Sequence, residues 1–127
     1  MNEWSAEELR AIGEANELRI ASRRQDGSLR PFVTIWVVEA EGGVFVRSAA
    51  GRENGWFRRA LERSEGRMEA GGVTADVRFE EVPPSEHEAV DAAYHRKYDR
   101  YPREYVDPVV SPAAWAATLR LLPARAE

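Results

Sequence analysis

Hydrophobic and polar positions change rhythm several times along the chain, and each change predicts an element. Ser5-Ala6-Glu7-Glu8 has the form of a capping box, with the serine on an early amide and Glu8 reaching back. The short helix it starts turns Leu9, Ile12 and Ala15 inward. A strand follows around Leu18–Arg23, then a turn at Gln25-Asp26-Gly27-Ser28 in which glycine supplies the positive φ. The partner strand, Pro31–Glu39, is apolar on both faces. Phe32, Trp36 and Val38 share one side with Thr34, and Val33, Ile35 and Val37 form the other. Such a strand is expected to be covered on both sides, as in a barrel wall or at an oligomer interface.

Glu41-Gly42-Gly43 turns the chain into Val44–Ser48, a second hairpin, and the stretch Ala49–Trp56 leads into a helix of about two turns, Trp56–Arg63. Arg67–Ala70 and Val73–Glu80 form a third hairpin around Gly71-Gly72. Its second strand alternates Val73, Ala75, Val77 and Phe79 with Thr74, Asp76, Arg78 and Glu80. Pro83-Pro84 stops that sheet. Ser85 and Glu88 are spaced to cap a helix running to about Tyr98, with Val90, Ala93, Tyr94 and the stem of Lys97 on its buried stripe. Turns are expected at Pro102, Pro108 and Pro112, and a closing strand at Thr118–Leu122. The pattern predicts an α+β, mainly β chain: a small antiparallel barrel of about six strands with peripheral helices.

Composition narrows what such a barrel can do. A chain of 127 residues suits one domain, 1–127, which buries about two-thirds of its unfolded surface and needs no metal or disulfide staple. With no cysteine, disulfides, thiolate metal sites and cysteine nucleophiles are excluded. A net charge of −4, from 18 basic and 22 acidic residues, argues against nucleic acid as a partner. Apolar runs are short, so no membrane span is expected. Met1-Asn2-Glu3-Trp4 has no basic segment leading into an apolar one, so no secretory signal is read and a cytoplasmic location is expected. Seventeen of the basic residues are arginine and Lys97 is the only lysine. Imine chemistry therefore has a single candidate, whereas arginine-based anion recognition has many.

Three groups of residues carry candidate chemistry. In the segment from Val44 to Leu61, a strand ends at Ser48, the small-residue loop Ala49-Ala50-Gly51 follows, and a helix opens with Trp56-Phe57. Small residues let a ligand approach the backbone, a helix amino end offers free N–H groups, and Arg47, Arg52, Arg58 and Arg59 can add charge there. Around the first turn, Arg23 or Arg24 faces Arg30 across a hairpin, where the side chains can converge on one ligand. Tyr94, Tyr98, Tyr101 and Tyr105 gather near the end of the long helix, with Tyr101 and Tyr105 in a more open loop suited to walling an aromatic ligand. His87, Asp91 and His95 recur every four residues, but the two histidines stand about 12 Å apart along a helix, too far to share one ion. No metal site is expected from that row, which reads as a salt-bridged helix face.

Taken in order, these segments resemble the split β-barrel superfamily that binds FMN or its deazaflavin analogue. The layout is nearest to the deazaflavin-dependent nitroreductases. It is closer still to a bacterial family carrying W-V-V, V-R-S, a glycine loop and W-[FY]-R-x-A. The likeness runs from about Arg23 to Leu122. It rests on Arg23 or Arg24, Asp26-Gly27, Arg30, Ser48, Ala49-Ala50-Gly51, Trp56-Phe57 and the segment Tyr101-Pro102-Arg103-Glu104-Tyr105. The resemblance implies a cofactor phosphate held by the hairpin arginines and the Ser48–Gly51 loop. It also implies a ring system in a groove at a homodimer interface, with Trp56, Tyr101 and Tyr105 nearby. The expected cofactor contacts are thus Arg23, Arg24, Arg30, Arg47, Ser48, Ala49, Gly51, Trp56, Arg59, Tyr101 and Tyr105, with FMN or deazaflavin as cofactor and a small molecule as substrate. Departures stand beside the likeness. The loop has one glycine where the nitroreductases have two, Arg58-Arg59 replace an asparagine, and the tyrosines are spaced by four. These departures assign no catalytic residue and leave open a module that keeps the barrel without the cofactor. A metal-dependent hydrolase through His87 and Asp91 is the remote third reading.

Overall fold

In a computed structural model that describes residues 3–124, seven strands form one antiparallel sheet in the order β2-β1-β5-β6-β7-β4-β3. They are β1 (Leu18–Ser22), β2 (Val33–Ile35), β3 (Val38–Ala40), β4 (Gly43–Arg47), β5 (Glu65–Ala70), β6 (Val73–Glu81) and β7 (Thr118–Pro123). The helices α1 (Ala6–Glu14), α2 (Gly55–Arg63), α3 (His87–Tyr98), α4 (Arg103–Val110) and α5 (Pro112–Trp115) are peripheral. Met1 and Asn2, which enter the reading of the amino terminus, and residues 125–127 of the expected domain lie outside the described residues.

The three expected hairpins form: β1 pairs with β2, β3 with β4 and β5 with β6. The capping box also forms, with Ser5 Oγ accepting from Glu8 N at 3.1 Å and Glu8 Oε1 accepting from Ser5 N at 2.9 Å. In β6 the expected alternation appears as burial of Val77 and Phe79 between exposed Asp76, Arg78 and Glu80.

The main correction concerns Pro31–Glu39. It is not one strand but two, and β2 and β3 lie at opposite ends of the sheet order, so the expected six strands become seven. Only Trp36 and Val37 separate them, and three peptide units span at most about 11 Å. The two edges must therefore meet, which curls the sheet into a split barrel. At the crossing, Trp36 leaves the ladder to stack on Tyr98, with centroids 4.0 Å apart and planes 3° from parallel. The backbone of Val37 is satisfied by α3: its N–H donates to Tyr98 Oη at 3.1 Å, and its C=O accepts from Lys97 Nζ at 2.7 Å. The two-sided apolarity of this segment follows from the crossing. Val37, with Val33 and Ile35 beside it, joins the barrel core of Ile12, Leu18, Val46, Phe57, Met68 and Leu121. Val38 and Ala40 face a second core with Val90, Tyr94, Tyr98 and Val106.

Two smaller expectations also change. Ser85 makes no capping bond; it lies in a 3₁₀ turn, Pro84–Glu86, that runs directly into α3. The stretches at Pro108 and Pro112 are helical rather than turns. Pro108 sits inside α4, where burial of Val106 and Val109 offsets the missing donor. Pro112 takes the first turn of α5 behind the cap Ser111, a position that suits proline.

At Gly66 the barrel wall leaves no room for a side chain. A Cβ there would lie 2.2 Å from the carbonyl oxygen of Ala21 and 2.7 Å from the Phe79 ring. Gly66→Ala is expected to cost about 1–3 kcal/mol, since β1 and β5 must separate to admit a methyl group. A lowered urea midpoint at unchanged slope checks this, and an unchanged midpoint contradicts it.

Candidate functional site

The loop after β4 and the start of α2 place one indole between two concavities. Asn54 caps α2, its Oδ1 accepting from Trp56 N at 3.2 Å, so Trp56 sits in the first turn. Phe57, on the adjoining face, is fully buried in the barrel core, while Trp56 remains half-buried. Arg59 follows Trp56 by three positions and therefore shares its face of the helix. Gly55 leaves room for the Arg59 side chain, because a Cβ there would lie 3.0 Å from Nη2.

On one side of Trp56 is a basic pocket of about 310 Å³, lined by Ser22, Arg24, Arg30, Arg59, Val33 and Trp56 among others. Arg30 donates to Glu62 Oε2 at 2.9 Å and to the Arg23 carbonyl at 3.2 Å. Arg24 donates to the Leu29 carbonyl at 3.0 Å. The Arg59 guanidinium makes no hydrogen bond or ion pair with any described residue. Three guanidinium groups thus face one hollow with Glu62 as the paired carboxylate, a donor set suited to an anion such as phosphate.

On the other side is a pocket of about 460 Å³ whose walls include Val33, Ile35, Trp36, Ala49, Trp56 and Tyr105. Tyr105 is 59% exposed and stands out among the described apolar side chains. Val33 and Trp56 line both hollows, so the basic and aromatic pockets adjoin. Both volumes lie in the range of small-molecule sites.

Of the residues expected from sequence, Arg24, Arg30, Trp56 and Arg59 gather in the first pocket, and Arg47, Ala49, Trp56 and Tyr105 in the second. Arg23, Ser48, Gly51 and Tyr101 line neither. Arg23 ties down the first turn, donating to the Gly27 carbonyl at 2.8 Å and pairing with Asp76 at 3.0 Å. Ser48 is buried and its Oγ donates to the Gly51 carbonyl at 2.8 Å, closing the loop in which Gly51 takes φ +79°. Tyr101 lies against Trp36, with its hydroxyl 3.1 Å from Asn16 Oδ1. Sequence reasoning missed Ser22, Trp36 and Asn54 as site residues. Asn54 carried a signal, since an asparagine just before a helix is a common cap.

Arg47 reaches the second pocket but spends its donors within the fold. It is 3% exposed, pairs with Asp91, and donates to Thr118 Oγ1 at 3.0 Å and the Val109 carbonyl at 2.8 Å. Its Nη2 also lies 3.3 Å from His87 Nδ1, and because guanidinium only donates, that nitrogen accepts. Burial first, then the Arg47 charge, hold His87 below its ordinary pKa. The Trp115 indole stacks on His87 at 4.9 Å and donates to Asp91 Oδ2 at 3.1 Å. His95 instead pairs with Asp99 at 2.8 Å, so His87 and Asp91 share Arg47 and Trp115 while His95 stands apart from them. Among the described residues no group of three metal-ligating side chains comes together, and no helix is long and apolar enough to cross a membrane.

Residues 8–121 match the bacterial family described as "Uncharacterized protein conserved in bacteria (DUF2255)". No curated protein matches the chain in sequence. Among solved structures, conserved hypothetical protein Rv2991 from Mycobacterium tuberculosis is 13% identical with a TM-score of 0.61, covering 98% of this chain and 83% of that one. A FAD-binding protein from Mesorhizobium loti is 14% identical with a TM-score of 0.62, over 96% and 90% of the two chains. A protein named F420 reductase is 14% identical with a TM-score of 0.54, over 90% and 89%. These likenesses show the fold, the split barrel that the sequence resemblance implied.

Two outcomes follow from the buried arginine. Asp91→Ala leaves its charge unpaired and is expected to cost about 3 kcal/mol, read by denaturant titration. His87 titrates below 6.5 when folded and at 6.5 when unfolded, so the unfolded chain takes the proton first. Stability is then lost as pH falls from 6.5 through the depressed folded value. His87→Phe should show a smaller drop in urea midpoint between pH 7 and 5 than the parent, and equal drops would contradict this assignment.

Proposed function

The chain belongs to the DUF2255 family, and we propose that it binds a flavin-type cofactor, FMN or its deazaflavin analogue, as an oxidoreductase acting on a small molecule. One observation carries this reading: a pocket of guanidinium groups and a pocket of aromatic walls meet at Val33 and Trp56. A flavin-type cofactor has the same two-part chemistry, an anionic tail joined to a flat ring system. Two structural neighbours, one a FAD-binding protein and one named F420 reductase, support it.

When bound, the cofactor supplies the hydride chemistry. Arg24, Arg30 and Arg59 neutralise its phosphate, and Arg59 has the most to give because no described residue competes for it. Trp56, which lines both pockets, would stand between the groups that hold the tail and those that wall the ring. Val33, Ile35 and Trp36 keep water from one face of the ring pocket. Arg47 and Ser48 act at one remove by holding the β4 end and its loop in shape. Arg23 does the same for the first turn, and Tyr101 for Trp36. Tyr105 leaves an apolar rim open to solvent, and a second copy of the chain seated on that rim would complete the wall, which is the basis for proposing a homodimer.

A second reading, a barrel that binds a small molecule without redox chemistry, draws on the same internal commitment of Arg47 and Ser48. Titration with FMN and with deazaflavin, followed by absorbance and fluorescence, separates the two. Saturable spectral change is expected for at least one. Arg59→Ala should weaken binding by about 1.5–3 kcal/mol at unchanged thermal stability. No uptake of either compound well above micromolar concentration rejects the cofactor reading in favour of the second.

A further inference from the structure

A third concavity, of about 380 Å³, shares no lining residue with the two just described. Arg10 and Glu14 of α1, Glu39 of β3, and Arg96 and Lys97 of α3 contribute its charged groups. Lys97 is the single lysine of the chain. Its Nζ donates to the Val37 carbonyl at 2.7 Å and lies 5.2 Å from the centre of the Tyr98 ring, with no described carboxylate in ion-pair range. Glu39 turns its Oε2 to the Gly42 amide at 3.0 Å, and Glu14 pairs with no described residue. The guanidinium groups of Arg10 and Arg96, both exposed residues, likewise make no hydrogen bond or ion pair with any described residue. A half-buried amine with no counter-ion in range thus shares a hollow with two unspent guanidinium groups and one unspent carboxylate, Glu14, which leaves the hollow net positive.

The bond to the Val37 carbonyl uses one N–H of this amine and leaves the rest of the nitrogen to react. Burial, with the Arg100 charge adding to it, pushes its pKa down to about 8, so a sizeable fraction is neutral at physiological pH. A neutral amine attacks carbonyl carbon, whereas an ammonium group cannot. Guanidinium groups in the same hollow select for a carboxylate on the incoming molecule.

We propose that Lys97 binds a small 2-oxo acid as an imine, with the acid's carboxylate held by Arg10 and Arg96. The Nζ lone pair forms a C–N bond to the carbonyl carbon while the C=O π pair moves to oxygen, which takes a proton. The resulting carbinolamine expels that oxygen as water to give the imine. Amine and carbonyl become imine and water with no net oxidation or reduction. The protonated imine retains one N–H, so the bond to the Val37 carbonyl at the barrel crossing is kept. The inference stands apart from the cofactor reading, since no residue is common to the two sites.

The test uses the full chain with glyoxylate and cyanoborohydride at pH 8, followed by digestion and mass mapping. Carboxymethylation is expected on Lys97 in excess over the α-amine. It should be about tenfold more than the alkylation given there by acetaldehyde, which has the same carbon count and no carboxylate. Labelling should fall as pH is lowered to 6. It should also fall about fivefold in Arg10→Ala or Arg96→Ala, exposed positions whose loss leaves the melting temperature unchanged. Label confined to the α-amine would show that Lys97 serves only the Val37 carbonyl and would overturn the proposal. Equal labelling of Lys97 by acetaldehyde would overturn it as well, by removing the recognition of the acid.

Discussion

One segment serves as both edges of a single sheet, and the rest of the molecule is arranged around that constraint. Because β2 and β3 are two residues apart in the chain yet terminal in the strand order, the sheet has to curl until its edges meet. Curling leaves a place where the ladder hydrogen bonds run out. A buried peptide without partners would be costly there, and the carboxyl end of α3 removes the problem with Tyr98 and Lys97. The Trp36 indole, released from the pleat, stacks on the same tyrosine and becomes a wall of the aromatic pocket. Closure of the barrel and construction of the pocket are thus one event.

Arg47 plays a comparable part at the far end of β4. Its bonds reach α3 through Asp91 and His87, α4 through Val109, and β7 through Thr118. Breaking such a set leaves a charge without solvent, so the arrangement favours one geometry strongly over its neighbours. The loop from Ser48 to Asn54 begins where that rigid point ends. A firm base under a small-residue loop suits a site that must present Ala49 and Trp56 at fixed positions.

How much of this was legible depends on how local the cause was. The Ser5 capping box, the alternation of β6 and the helix after the small-residue loop were read correctly, since each is set by residues within a few positions of one another. The break at Trp36 was not, because its cause lies some sixty residues away in Tyr98 and Lys97. Pro108 looks like a turn residue by propensity, and only tertiary packing of Val106 and Val109 makes helix there, whereas Pro112 opens a helix behind the cap Ser111, a local cause. Arg47 reads in sequence like Arg24 or Arg59, a cation beside a loop. Its burial is decided by Asp91, Thr118 and His87, none of them nearby in the chain. Tyr101 and Tyr105 look equivalent until Asn16 takes up the hydroxyl of the first and leaves the second exposed.

The position of β7 has a consequence for how the chain reaches this state. It is the last strand of the described residues, yet it lies inside the sheet, paired with β6 on one side and β4 on the other. During synthesis, β4 and β6 emerge with their facing rows of amides and carbonyls unmatched, and they stay so while α3, α4 and α5 are made. Open rows of that kind are where nascent chains stick to one another. Contacts spanning most of the chain also slow assembly. The barrel is therefore sealed from its carboxyl side, and the interval before sealing is when it most needs shelter from other copies of itself.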